Sequence, residues 1–145
     1  MKNIALALIA HPDDAEFLCA GTLIRLKQEH GWDIHIATMT AGDCGSIEYP
    51  PDEIARLRRA EGAAAARMIG GTYHCLEERD LRVMFCEATM ERCVQLICEV
   101  RPRLIITHPP DDYPLDHEMT SRNVRAATFA APIPNYLHGR WQHPP

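Results

Sequence analysis

The chain has no excess of positive charge, no close-set cysteine pair, no dinucleotide fingerprint and no long apolar run. Each absence argues against a class of protein. Its 15 Lys and Arg against 20 Asp and Glu leave a formal charge of -5, so the basic footprint of a nucleic-acid binder is missing. The six cysteines, Cys19, Cys44, Cys75, Cys86, Cys93 and Cys98, form no CxxC pair, which argues against a zinc ribbon or a thioredoxin-like redox motif. Most lie in apolar helix or strand patterns and read as buried, reduced thiols. No apolar stretch reaches the roughly 20 residues of a membrane span. Met1-Lys2-Asn3 runs directly into the first apolar segment, so no signal peptide is expected, and the default setting is cytoplasmic. A glycine-rich GxGxxG is absent after the first strand, which argues against a nicotinamide cofactor.

Apolar runs and turn signals are present in alternation. A chain of 145 residues, 46% hydrophobic and 24% charged, suits one soluble domain spanning 1–145. Residues 4–10 are apolar throughout and read as a strand buried on both faces. Residues 14–30 read as one helix, capped by Asp13 or Asp14, with Phe17, Leu18, Thr22, Leu23 and Leu26 at helical spacing and Gly31 as its stop. Residues 33–40 read as a second strand, 41–51 as a loop, 52–69 as a helix stopped by Gly70-Gly71, and 72–76 as a short strand. A helix over 87–100, a buried strand over 103–107, a polar proline-rich loop over 108–117 and a helix over 118–130 follow. The proline-rich tail 131–145 reads as extended. Strands alternating with helical crossovers predict an α/β fold, Rossmann-like, with a mostly parallel central sheet between helical layers. His30, His35, His74, His138 and His143 read as surface or loop residues.

The first strand breaks directly into His11-Pro12-Asp13-Asp14. An open α/β sheet places its ligands at the C-terminal ends of its strands, so this stretch delivers an imidazole and two carboxylates to the expected site. His11 and Asp14 suit a divalent metal, and Asp13 is left free to act as a base. A later strand ends at Thr107-His108, and the loop continues to Asp116-His117. A catalytic zinc commonly takes three protein ligands and keeps one position for water. One histidine of this loop would complete the set: His117, anchored by Asp116 and the following helix start, with His108 as its competitor.

These residues resemble the LmbE-like (PIG-L) family of metal-dependent N-deacetylases. The resemblance rests on Ala10-His11-Pro12-Asp13-Asp14-Ala15-Glu16 and on Asp112-Tyr113-Pro114-Leu115-Asp116-His117. It is supported by Thr38 to Asp43, by Arg58-Arg59-Ala60-Glu61 with the alanine-rich stretch after it, and by Ile69-Gly70. It implies an LmbE-like three-layer fold and a zinc hydrolase acting on an N-acetylated amino sugar of the GlcNAc type or a related N-acyl amine. Zn²⁺ would be held by His11, Asp14 and His117, with Fe²⁺ or Co²⁺ as alternatives, and Asp13 would be the general base. Arg58 and Asp80 would face the substrate. Pro114 stands where many members carry an oxyanion-stabilising histidine, and His108, or a histidine from later sequence, is the candidate to replace it as a catalytic group. Family members usually continue beyond this length, so a C-terminal part is expected to be missing, leaving an apolar patch that self-association would cover. An amidase acting on a thiol-sugar conjugate, or a catalytically weak sugar- or metal-binding module, is the alternative.

Overall fold

The computed structural model describes residues 2–136. Its elements run β1 (Ile4–Ile9), α1 (Asp14–Leu18), α2 (Ala20–His30), β2 (Asp33–Thr40), α3 (Pro51–Met68), β3 (Thr72–Glu78), α4 (Glu87–Val100), β4 (Leu104–Ile106) and α5 (Leu115–Ala130). The four strands form one sheet in the order β3-β2-β1-β4, and every neighbouring pair is parallel. This is the expected α/β architecture with a parallel central sheet.

Side chains of β1 alternate between two cores. Ala5, Ala7 and Ile9 pack with Leu23 of α2 and Ala66 of α3. Leu6 and Leu8 pack with Val94 and Ile97 of α4 and Val124 of α5. Helices therefore cover both faces, which is why β1 is apolar at every position. Each fully buried Leu or Ile contributes about 1.5–3 kcal/mol. On the α3 face the packing is closest at Gly62, where a Cβ would come within 2.7 Å of the Tyr73 ring.

Chain order creates the site. The chain builds outward from β1 through β2 to β3, then returns to place β4 on the other side of β1. The ends of β1 and β4 flank the point where the winding reverses, the usual ligand crevice of an open α/β sheet.

Several expectations are corrected. The helix over 14–30 is two helices, broken at Cys19 (φ -141°, ψ 5°). Phe17 and Leu18 are exposed, and of the expected helical stripe Leu23 alone is fully buried. Asp13 takes the N-cap position of α1, but its side chain makes no capping bond. β3 runs two residues further than expected, with an irregular register opposite Thr38 to Thr40 and a left-handed Glu77 (φ 59°). β4 is shorter than expected and half-buried rather than buried. The last helix begins at Leu115 rather than 118, so Asp116 and His117 belong to its first turn and not to the loop. Residues 131–136 form turns; the rest of the expected extended tail lies outside the described residues. All six cysteines are free, but Cys44 and Cys86 are exposed.

Candidate metal centre

The apolar β1 carries the chain to Ala10, and the backbone turns sharply at the next residues. Asp14 Oδ2 accepts the His11 amide at 2.8 Å. Asp13 is held at φ 106°, a left-handed conformation that costs a non-glycine residue about 1–3 kcal/mol. His11 and Asp14 thereby face the C-terminal ends of the sheet. His117 reaches the same place from the first turn of α5. Ligand atoms of His11, Asp14 and His117 lie within 4.8 Å of one another. His11 Nδ1 and His117 Nε2 each stand 3.4 Å from Asp14 Oδ2.

The outward nitrogens of both rings are held by carboxylates. His11 Nε2 is 3.0 Å from Asp116 Oδ2, and His117 Nδ1 is 2.9 Å from Asp112 Oδ2. A carboxylate on one nitrogen sets the tautomer and leaves the other nitrogen as a lone pair for a metal. This donor set, two imidazole nitrogens and a carboxylate oxygen converging from three sides, fits a divalent ion of the zinc type.

The electrostatics favour a cation at the same place. Burial alone would lower the His11 pKa, but bonds to Asp14 and Asp116, with the charges of Asp14 and Asp80, push it up to about 9. Burial would raise the Asp14 pKa, but bonds from His108 and from the His11 ring and amide, with the charge of His117, hold it well below the ordinary carboxylate value.

Asp116 was expected to anchor His117. It anchors His11 instead, and Asp112 takes His117. Asp116 is buried and also accepts the amides of Leu81 at 2.7 Å and Val83 at 3.4 Å. Sequence reasoning gave neither carboxylate this part; the only available signal was their position in the same acidic loop and helix start. His108 is buried behind the site. Its Nε2 lies 2.9 Å from the Ala10 amide, and its ring stacks on His117 at 3.8 Å. Its Nδ1 is buried without a partner among the described residues. Its Nε2 also lies 3.3 Å from Asp14 Oδ2, so it stands against the proposed ligands from the buried side. Pro114 is the N-cap of α5, and its carbonyl accepts the His117 amide.

A cleft of about 340 Å³ opens beside His11, lined also by Asp13, Cys44, Arg58, Asp80 and Leu81 among others. Arg58 donates to Asp13 Oδ2 and to the Pro12 carbonyl, both at 2.5 Å, and pairs with Glu61. Both the expected base and the expected substrate-facing arginine therefore line the cleft, joined to each other. Asp80 is buried in its wall; Oδ2 accepts the Cys44 amide, while Oδ1 is buried with no partner among the described residues. Asp43 closes this wall by accepting the Asp80 amide and Arg79. A further donor group, Asp43, Cys44 and Asp80, is thus largely spent on its own loop.

Fold and site together define a protein of the α/β type with a two-histidine, one-carboxylate centre at the reversal point of a parallel sheet. Residues 6–128 match the family model described as PIG-L, GlcNAc-PI de-N-acetylase, and the chain belongs to this family. Two curated relatives are a 4-oxalmesaconate hydratase from Pseudomonas putida (25% identical, 92% of this chain, 55% of the relative) and a 1D-myo-inositol 2-acetamido-2-deoxy-alpha-D-glucopyranoside deacetylase from Rhodococcus erythropolis (27% identical, 84% of this chain, 53% of the relative). The chain spans about half the length of these relatives. Among solved structures, N,N'-diacetylchitobiose deacetylase from Pyrococcus horikoshii is similar in fold, with a TM-score of 0.85 at 22% identity over 92% of this chain and 52% of that one. No helix among the described residues is long and apolar enough to cross a membrane.

Proposed function

We propose that this chain is a zinc-dependent hydrolase that removes the acetyl group from an N-acetylated amino sugar of the GlcNAc type. The carrying observation is the convergence of His11 Nδ1, His117 Nε2 and Asp14 Oδ2, with His11 on the wall of a cleft that holds two further carboxylates, Asp80, which is buried, and Asp13, which is half-exposed. Family membership supports the reaction class. Six free cysteines support a reducing, cytoplasmic setting.

His11, Asp14 and His117 would hold the ion. Bound there, it would supply a water whose pKa is brought near neutrality and a Lewis acid for the amide carbonyl. Asp13 accepts the proton of the attacking water and returns it to the amine as the carbon–nitrogen bond breaks, giving acetate and a free amine. Arg58 holds one carboxylate oxygen of Asp13 and leaves the other for the water; its positive charge also lies on the cleft wall, where the oxyanion develops. Asp80 is the weaker substrate-facing candidate, since its Oδ1 is buried and its Oδ2 is taken by the Cys44 amide. Asp116 and Asp112 hold the two imidazoles in their ligand tautomers.

The test is metal content beside acetate release. Asp13→Asn is expected to retain the ion and lose about 10²- to 10⁴-fold in turnover, whereas Asp14→Ala loses the ion. Wild-type turnover in Asp13→Asn sinks the proposed base. The hydratase relative favours a second reading, in which the same water adds to a carbon–carbon double bond. Product analysis with an N-acetyl amino sugar and with an unsaturated tricarboxylate decides between them.

A further inference from the structure

The β1–β4 ladder ends where Ala7 faces Ile106, although β1 runs on to Ile9. Ala10 lies past the end of that ladder and gives its amide to a side chain instead, His108 Nε2 at 2.9 Å. On the other side, the Ala10 carbonyl accepts the Thr40 amide at 2.9 Å. The imidazole thus stands in for the next ladder acceptor. The same nitrogen is 3.3 Å from Asp14 Oδ2, so one ring touches the turn from Ala10 to Asp14 at its first and last residues. The face of that ring lies against His117, with centroids 3.8 Å apart and planes within 17°. The His108 side chain has no exposed surface.

We propose that His108 is a positioning residue of the candidate metal centre, a buried ring that fixes the turn carrying His11 and Asp14 and the plane of His117 relative to each other. This rests on the reading of His11, Asp14 and His117 as the ligand set.

Two of those ligands come from the end of β1 and the third from α5, far along the chain. A tight site needs them held to within about half an ångström. Asp116 and Asp112 hold one nitrogen of His11 and of His117 respectively. Each bond fixes one point of a ring and leaves its plane free to tilt. A flat ring in van der Waals contact with one face of His117 removes that freedom, because tilting would separate the two. An imidazole serves both ends of the arrangement. It is flat, and its edge carries an acceptor for the Ala10 amide. Phenylalanine is flat but has no acceptor, and glutamine has an acceptor but no ring. Fully buried, His108 acts through the ligands and not by touching substrate.

Those two substitutions separate the contacts. Zinc affinity of the full chain, measured by competition with a chromophoric chelator, is expected to fall about tenfold in His108→Phe and in His108→Gln, and about 100-fold in His108→Ala. In the metal-free proteins, hydrogen exchange at the Ala10 amide should quicken in His108→Phe and stay slow in His108→Gln. The ring protons of His117 should lose their ring-current shift in His108→Gln and keep it in His108→Phe. With zinc saturating, kcat for acetate release should return to within about threefold of the wild-type value in both. The proposal is overturned if both variants bind zinc as tightly as the wild type while their urea midpoints fall, the result a purely structural residue gives. It is also overturned if kcat stays low with zinc saturating, which would make His108 a catalytic residue. Wild-type protein that takes up no zinc overturns it together with the ligand set. The expected losses of affinity in a protein that releases no acetate would refute the hydrolase reading and leave this one standing.

Discussion

Replacing Asp116 by Asn tests the wiring of the candidate centre. Asp116 Oδ2 faces two donors at once, His11 Nε2 at 3.0 Å and the Leu81 amide at 2.7 Å, while Oδ1 accepts the Val83 amide at 3.4 Å. An asparagine has one oxygen, and the two donors at Oδ2 require it there. Its amide group must then face the Val83 amide, leaving two donors opposed in a buried place, which costs about 1–3 kcal/mol of stability. The effect on metal binding is separate. Without the carboxylate charge behind it, the His11 imidazole is a poorer ligand, and affinity should fall about 10- to 100-fold, or about 1.4–2.8 kcal/mol. Chelator competition measures the affinity, and urea unfolding of the metal-free proteins measures the stability. Asp112→Asn serves as the comparison: Asp112 is the more exposed of the two carboxylates, so its loss should weaken binding less. A change in affinity below about threefold in Asp116→Asn would refute the argument that this carboxylate sets the His11 tautomer. So would a larger loss in Asp112→Asn.

Metal uptake should release protons. His11 in the metal-free protein titrates at about 9 and must be neutral to act as a ligand, so apparent affinity should rise about tenfold per pH unit below pH 9 and level above it. Calorimetry in buffers of different ionisation enthalpy checks the proton count, and a flat affinity between pH 6.5 and 8.5 would contradict it. His35 and His74, whose pKa values are lowered on folding, stabilise the neutral-pH fold, and that contribution is lost as the pH falls below their ordinary value of 6.5. His11, with its raised pKa, works in the opposite direction, so the readout is the difference: between pH 7.5 and 5.5 the change in Tm of the metal-free protein should be less favourable than that of His35→Gln/His74→Gln. Gly62→Ala would drive a methyl against the Tyr73 ring, which is tethered through its hydroxyl to Thr38, and should cost about 1–3 kcal/mol in urea unfolding; an unchanged midpoint would mean that the ring yields freely.

Much of the fold was legible because its signals are local. The unbroken apolar run of β1, the left-handed glycines Gly31 and Gly70 at helix ends, and the acidic start and alanine run of α3 each declare their element without reference to the rest. Misreadings arose where tertiary contacts override the pattern. The helical stripe after Asp14 predicted burial for Phe17 and Leu18, yet the break at Cys19 redirects the helix and only Leu23 reaches the core. The proline-rich loop concealed the start of α5 at Leu115, because Pro114 both ends the extended segment and opens the helix.

At the candidate site the same division holds. The amino-acid order alone determined that an imidazole and two carboxylates stand at the end of the first strand, and that histidines stand near the end of the last. Strand-to-loop boundaries follow from hydrophobic pattern, and chemistry follows from residue type. Which carboxylate meets which imidazole was decided only by the tertiary structure. Asp116 lies next to His117 in the chain, yet it turns to His11, 105 residues away, because successive residues of a helix point in different directions. Asp112, five residues back, takes His117. The pairing of His35 with His74 is of the same kind: the parallel register sets His35 opposite Thr72 and His74 opposite Ala37, so the two rings meet diagonally across β2 and β3, and no local pattern encodes that register.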